Sequence, residues 1–251
     1  MKKIICLVLA VVMMTMVFVG CDMNSQDNAD DAGKDDYKPT HVTTVSDNEA
    51  NADVTAETTT VADTEADTSQ NEVSETGISR GTIDGNVYTN NYLKFKFTKP
   101  ESWYYSTDAD IAALMNLGIE MFLNDQFKKA LENNPSMYDM RVVDSATGTS
   151  IIVAYENLEK SFATNITEKQ YIDAVKYQFT NISGISADFS DELVTVKLGG
   201  TEFTRVLCNV TTSGVTMTQV YYVHKADGYM SSVIVGIQGG YSVEQIEAMF
   251  Q

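Results

Sequence analysis

Hydrophobic and polar positions divide the chain into three stretches of different character. Ile4 to Val19 are apolar apart from Cys6 and Thr15, with Met1, Lys2 and Lys3 ahead of them and Gly20 and Cys21 closing the run. Residues 22–79 are polar and acidic, with Tyr37 as their one aromatic. From residue 80 onward, hydrophobic side chains return at regular spacing. In "NVYTNNYLKFKFTKPESW", Leu93, Phe95 and Phe97 fall on one side and Tyr92, Lys94 and Lys96 on the other, the alternation of a half-buried strand. Pro100 ends it. Thr107, with Asp110 three residues on, predicts a helix start, and the helix is expected to run to about Glu132, stopped by "NNP". Its apolar face takes in Ile111, Leu114, Met115, Gly118, Phe122, Phe127 and Leu131.

The stretch "MYDMRVVDSATGTSIIVAYENL" predicts a hairpin around "SATGT". Thr167 caps a second helix over residues 168–180, with Tyr171, Ile172, Val175 and Phe179 on one face. Four strand-like runs then follow, separated by Gly-Gly, Ser-Gly and Asp-Gly, all tight-turn signals. Ser242 and Gln245 form a capping box for a last short helix reaching Met249. Strands joined by tight turns are antiparallel. The order strand, helix, hairpin, helix, four-strand meander, helix therefore predicts an α+β domain, an antiparallel β-sheet covered by helices, over residues 80–251.

Charge and cysteine usage narrow the setting. Positive start, apolar middle and small residue describe a secretory signal over residues 1–20. The run is marginal as a transmembrane span, which needs roughly 20 apolar residues. Val19, Gly20 and Cys21 resemble the lipobox of bacterial lipoproteins, departing from it at Phe18, where that family usually has leucine. The resemblance implies a diacylated Cys21 after cleavage, and two acyl chains hold a protein on a membrane stably. It places the protein on the extracytoplasmic face of a bacterial cell membrane. Residues 22–79 hold fifteen acidic residues against Lys34 and Lys38. Such a composition cannot repay the entropy of folding, so residues 21–79 are expected to be a disordered stalk.

The remaining 20 acidic and 13 basic residues show no basic stripe, which argues against nucleic acid as a partner. With Cys6 in the signal and Cys21 lipidated, Cys208 is a lone thiol, and no internal disulfide is expected. His41 and His224 are the two histidines, too few for a histidine metal cluster.

Enzymatic chemistry finds no footing. If Ser213-Gly214 is a two-residue turn, Cys208 faces Gln219, and His224 lies five positions further, roughly 16 Å away and on the other face. Asp108 and Asp110 suit a helix N-terminus, Asp188, Asp191 and Glu192 a turn before a strand. Gly199-Gly200 reads as a hairpin turn, and Gly239-Gly240 leads into a helix without the lysine of a phosphate loop. No catalytic, cofactor or metal residues are expected. The suggestive surface feature is aromatic: Trp103, Tyr104 and Tyr105 at a strand-to-helix junction, and Tyr221-Tyr222 in a strand. Since neighbours in a strand face opposite sides, one of each pair is a candidate for exposure. Trp103, Tyr104, Tyr105 and Tyr222 form the candidate interaction patch, against the alternative that they complete the core.

A further resemblance rests on Phe95, Phe97, Pro100 and Trp103. An opening strand of the form Tyr-Leu-x-Phe-x-Phe, then proline and tryptophan, then helix, hairpin, helix, meander and helix resembles the PsbP-like domain. The likeness spans about residues 85–250 and implies an antiparallel sheet between helical layers. That group shares no catalytic residues, and its better-known members act by binding other proteins. Two functions are therefore expected in turn. The first is a tethered, monomeric interaction module for an envelope or extracellular protein, marked by an exposed aromatic or Met-rich patch. The second is a small-ligand or glycan-binding accessory lipoprotein of a transport system, marked by a concave pocket.

Overall fold

The structure, a computed structural model, describes residues 77–123 and 126–251. The signal, Cys21 and nearly all of the acidic segment lie outside the described residues. Ile78 is already in the core, 5% exposed, two residues ahead of the expected start of the domain.

The first elements among the described residues are three short strands, β1 (Thr82–Asp84), β2 (Val87–Asn90) and β3 (Phe95–Thr98), paired antiparallel as a small sheet. The single strand expected over this stretch is thus a pair, preceded by a third. Lys94, with φ of 52°, turns the chain between β2 and β3, and the Leu93 N–H donates to Asn90 Oδ1 at 2.7 Å. Leu93, Phe95 and Phe97 are buried, as the alternation required. Residues 249–251 run along the open side of β3. The Lys96 N–H donates to Gln251 O and the Gln251 N–H to Lys96 O, both at 2.8 Å, and Phe250 meets Phe95 and Phe97 with ring centroids 5.2 and 5.0 Å apart.

Trp103 to Tyr105 form a short edge strand, β4 (Trp103–Tyr105), where the sequence pattern had placed a plain junction. Helix α1 (Asp108–Met115) follows, opened by the expected box in which the Thr107 and Asp110 side chains cap each other's backbone N–H. The long helix expected to reach Glu132 is broken. Asn116 takes the left-handed conformation, φ 53°, and closes α1. A 3-10 turn over Ile119–Phe122 and helix α2 (Gln126–Asn133) follow. Asparagine tolerates that backbone better than most residues, and the break lets both Phe122 and Phe127 reach the core.

The hairpin β5 (Ser136–Asp144) and β6 (Ser150–Asn157) and helix α3 (Glu168–Phe179), boxed by Thr167 and Gln170, stand where expected. An edge strand, β7 (Ile185–Phe189), precedes the meander β8 (Val194–Leu198), β9 (Thr201–Thr212), β10 (Val215–Ala226) and β11 (Tyr229–Ile237). Helix α4 (Val243–Glu247) closes the fold with the Ser242–Gln245 box.

The main sheet is antiparallel, in the order β4-β5-β6-β11-β10-β9-β7, and β8 shares one edge of β9 with β7. Side-chain alternation assigns its layers. Tyr155 meets Phe127 of α2, while the next residue, Glu156, meets Tyr171 of α3. The helices therefore cover opposite faces. Tyr222 donates to Glu247 of α4 at 3.0 Å, on the face that also carries α2. The architecture is α+β, a sheet between helical layers. Among the described residues no helix is long and apolar enough to cross a membrane.

Candidate functional site

The strand register places the expected aromatic patch largely inside. Trp103 is 1% exposed, and its Nε1–H donates to the Tyr241 hydroxyl at 3.0 Å with the rings edge to face. Tyr222 is 0% and Tyr221 2% exposed, because β10 lies mid-sheet with both faces covered, so opposite-facing neighbours are both buried. Trp103 and Tyr222 thus leave the patch. Tyr104 is exposed and Tyr105 half-buried, its hydroxyl donating to Asn86 O at 3.1 Å.

Cys208 pairs with Gln219, as the turn geometry required, and His224 pairs with Ser231 five residues on. Burial pushes the Cys208 thiol up to about 12, the opposite of a nucleophile's requirement. Asp110 serves the α1 cap, while Asp108 also pairs with Arg80. Asp188 stands within β7 rather than in a turn. Among the described residues no cluster of side chains could hold a metal ion.

The most perturbed carboxyl is Asp139, in β5, with a wholly buried side chain. It accepts from the Tyr88 hydroxyl at 2.6 Å, Asn90 Nδ2 at 3.0 Å, the Tyr155 hydroxyl at 3.3 Å and the Gly81 N–H at 3.0 Å. Burial outweighs these donors and pushes its pKa up to about 6. A Cβ on Gly81 would stand 2.2 Å from the Tyr88 ring, so only glycine brings its N–H this close. Beside it, Arg80 pairs with Asp108 and donates to Phe122 O at 2.7 Å, its guanidinium 5.5 Å from the Phe122 ring centroid. The cluster fastens residues 80–90 to the start of α1, the 3-10 turn and the β5–β6 hairpin. It lines neither of the depressions described below and acts as a structural knot.

Two surface features remain. The first is the apolar run Leu117 to Leu123. Ile119 and Leu123 are each 47% exposed, and Leu117 and Met121 are half-buried against the core. Sequence periodicity hid it by assigning this stretch to one helix with an inward face. Beneath it lies a shallow depression of about 260 Å³ that includes Glu120, Met121 and Lys129.

The second is an open cleft of about 430 Å³ on the α4 face of the main sheet. Its floor is a cross-strand row, Asp188–Asn209–Thr218–Ile237, in which each residue is the register partner of the next. Tyr241, Ser242 and Val243 wall it. The Thr218 hydroxyl donates to Asn209 Oδ1 at 3.0 Å.

Phe162 stands apart. It is 79% exposed with φ of 56°, ending a helical turn in which Ala163 N–H donates to Leu158 O and Phe162 N–H to Glu159 O. Glycine is the usual occupant of that position.

Solved structures offer a likeness to the fold. The chain is similar to cyanobacterial PsbP. The match to the protein from Synechocystis is 10% identical over 70% of this chain and 95% of that one, with a TM-score of 0.38. LpqN of Mycobacterium tuberculosis, described as involved in cell envelope biogenesis, matches at 12% identity over 61% of this chain and 76% of that one, with a TM-score of 0.33. At this similarity neither brings a function with it. No protein-family model matches the chain, and neither does any curated protein.

Proposed function

We propose that the protein is a membrane-tethered, extracytoplasmic interaction module that docks an envelope protein through the Leu117–Leu123 run. The observation that carries this reading is the paired exposure of Ile119 and Leu123 beside half-buried Leu117 and Met121. A short 3-10 turn and methionine adapt readily to a partner's shape. Clustered exposed apolar side chains mark interaction sites, whereas single ones are ordinary. With 20 acidic against 13 basic residues, the domain over residues 80–251 is itself acidic, which suits a protein with an apolar groove and a basic rim. Lipidated Cys21 is the tether and the acidic segment its spacer.

Photo-crosslinking in cells tests the docking face, with benzoylphenylalanine at position 119 or 123 and at exposed Thr195 as the control. A discrete protein adduct at 119 or 123, absent at 195, is expected. Ile119→Ser with Leu123→Ser should abolish partner binding while leaving the fold intact, since exposed positions contribute about 0.5 kcal/mol or less. Adducts with lipid, or the same adducts at all three positions, would overturn the reading. The tether is tested separately: Cys21→Ala should abolish labelling by a palmitate analogue, and a variant that still labels contradicts it.

A further inference from the structure

We infer that the cleft over β7, β9, β10 and β11 is a binding site for a neutral saccharide. Its volume of about 430 Å³ lies within the range that holds small ligands. The chemistry of its lining selects among them. Asp188 and Asn209 are direct cross-strand partners on one face, which sets their side chains about 5 Å apart at the base. A carboxylate and an amide side by side present planar acceptors and donors, the pairing that neighbouring hydroxyls on a sugar ring satisfy together. Thr218 extends the polar row, while Leu207, Ile237 and Val243 supply apolar surface for the C–H faces of the ring.

Charge removes the competing classes. No lysine, arginine or histidine lines the cleft, so a phosphate or carboxylate ligand meets no counter-charge and faces the Asp188 carboxylate instead. The cleft is open, and an acyl chain lying in it would leave the Asp188, Asn209 and Thr218 side chains along its floor without ligand partners. One wall is held rigidly. The Tyr241 hydroxyl accepts from buried Trp103, which leaves the tyrosine's own proton available to donate. The same bond makes the indole a reporter, because a ligand that engages Tyr241 alters the surroundings of the chain's single tryptophan.

Saturation-transfer NMR on the full chain tests the site, with maltose, cellobiose, lactose and chitobiose as neutral probes. Glucose 6-phosphate is the anionic probe and choline the cationic one. Transfer to at least one neutral disaccharide is expected, with a matching saturable change in Trp103 emission and none with glucose 6-phosphate. Asp188→Ala and Asn209→Ala should each weaken binding about tenfold or more, at unchanged melting temperature. Absence of transfer to all four disaccharides at millimolar concentration overturns the inference. So does preference for choline or the phosphate, or binding indifferent to both substitutions. Ile119→Ser with Leu123→Ser should leave saccharide binding intact, which separates this site from the docking run.

Discussion

Raising the pH from 4 to 7 should weaken the domain through a single buried carboxyl, Asp139. Its pKa is pushed from the ordinary 3.8 up to about 6 by burial. Well below pH 3.8 the group is protonated in both folded and unfolded chains, and its contribution is complete. Between pH 4 and 6 the unfolded chain releases this proton while the folded chain keeps it, so stability falls as pH rises. Above 6 both forms are ionised and the loss is complete. The interval between 3.8 and about 6 corresponds to a loss of about 3 kcal/mol. For a domain of this size that is about 6–12 °C in melting temperature.

The assay is thermal unfolding by circular dichroism at pH 4, 5, 6 and 7, for the natural chain and Asp139→Asn. The amide cannot ionise, so it removes this pH dependence while imposing a constant cost for its missing acceptor. Glu156, raised by burial, and Asp110 and Glu244, held low by their hydrogen bonds, titrate in both proteins and cancel in the difference. The advantage of the natural chain over Asp139→Asn should therefore shrink from pH 4 to 7. If it stays constant or widens, the donors from Tyr88, Asn90, Tyr155 and Gly81 outweigh burial, and the reasoning fails.

Trp103 emission should be blue-shifted in the native protein and move red on unfolding, and Trp103→Ala should lose about 3–5 kcal/mol by denaturant titration. Native emission near that of free tryptophan, freely quenched by iodide, would contradict its burial. Phe162→Gly should raise stability by about 1 kcal/mol, because glycine meets no steric penalty in the left-handed backbone that phenylalanine now occupies. An unchanged or lowered denaturation midpoint would show that the phenyl ring makes compensating contacts.

Local signals in the sequence located most of the architecture. The Gly-Gly, Ser-Gly and Asp-Gly turns set the meander, and the caps at Thr107, Thr167 and Ser242 set the starts of α1, α3 and α4, because each signal is satisfied within a few residues. Errors arose where tertiary demands overrode local pattern. A step of five from Phe122 to Phe127 departs from helical spacing, yet only the structure shows that both rings are buried in the core. The turn at Lys94 carries no glycine or proline. The knot was visible in part as an acid within the apolar run "MYDMRVV". The cleft was not, since Asp188, Asn209, Thr218 and Ile237 meet only through the register of four strands. Tyr222 dropped out of the aromatic patch because a tyrosine pair in a central strand is enclosed on both faces, a fact of layer number rather than of alternation.

The pairing of β3 with residues 249–251 bears on how the chain emerges and folds. The two partners are separated by roughly 150 positions, and pairing at such range is slow to form. A chain that appears from its N-terminus exposes Phe95 and Phe97 on an open strand edge until that distant segment arrives. Gly199, with φ of 56° and no room for a Cβ beside Phe95 and Gln251 O, must be in place as well. Until then the edge is a template for pairing with other chains. The small sheet can therefore gain its pairing along β3 only after residues 249–251 have been made.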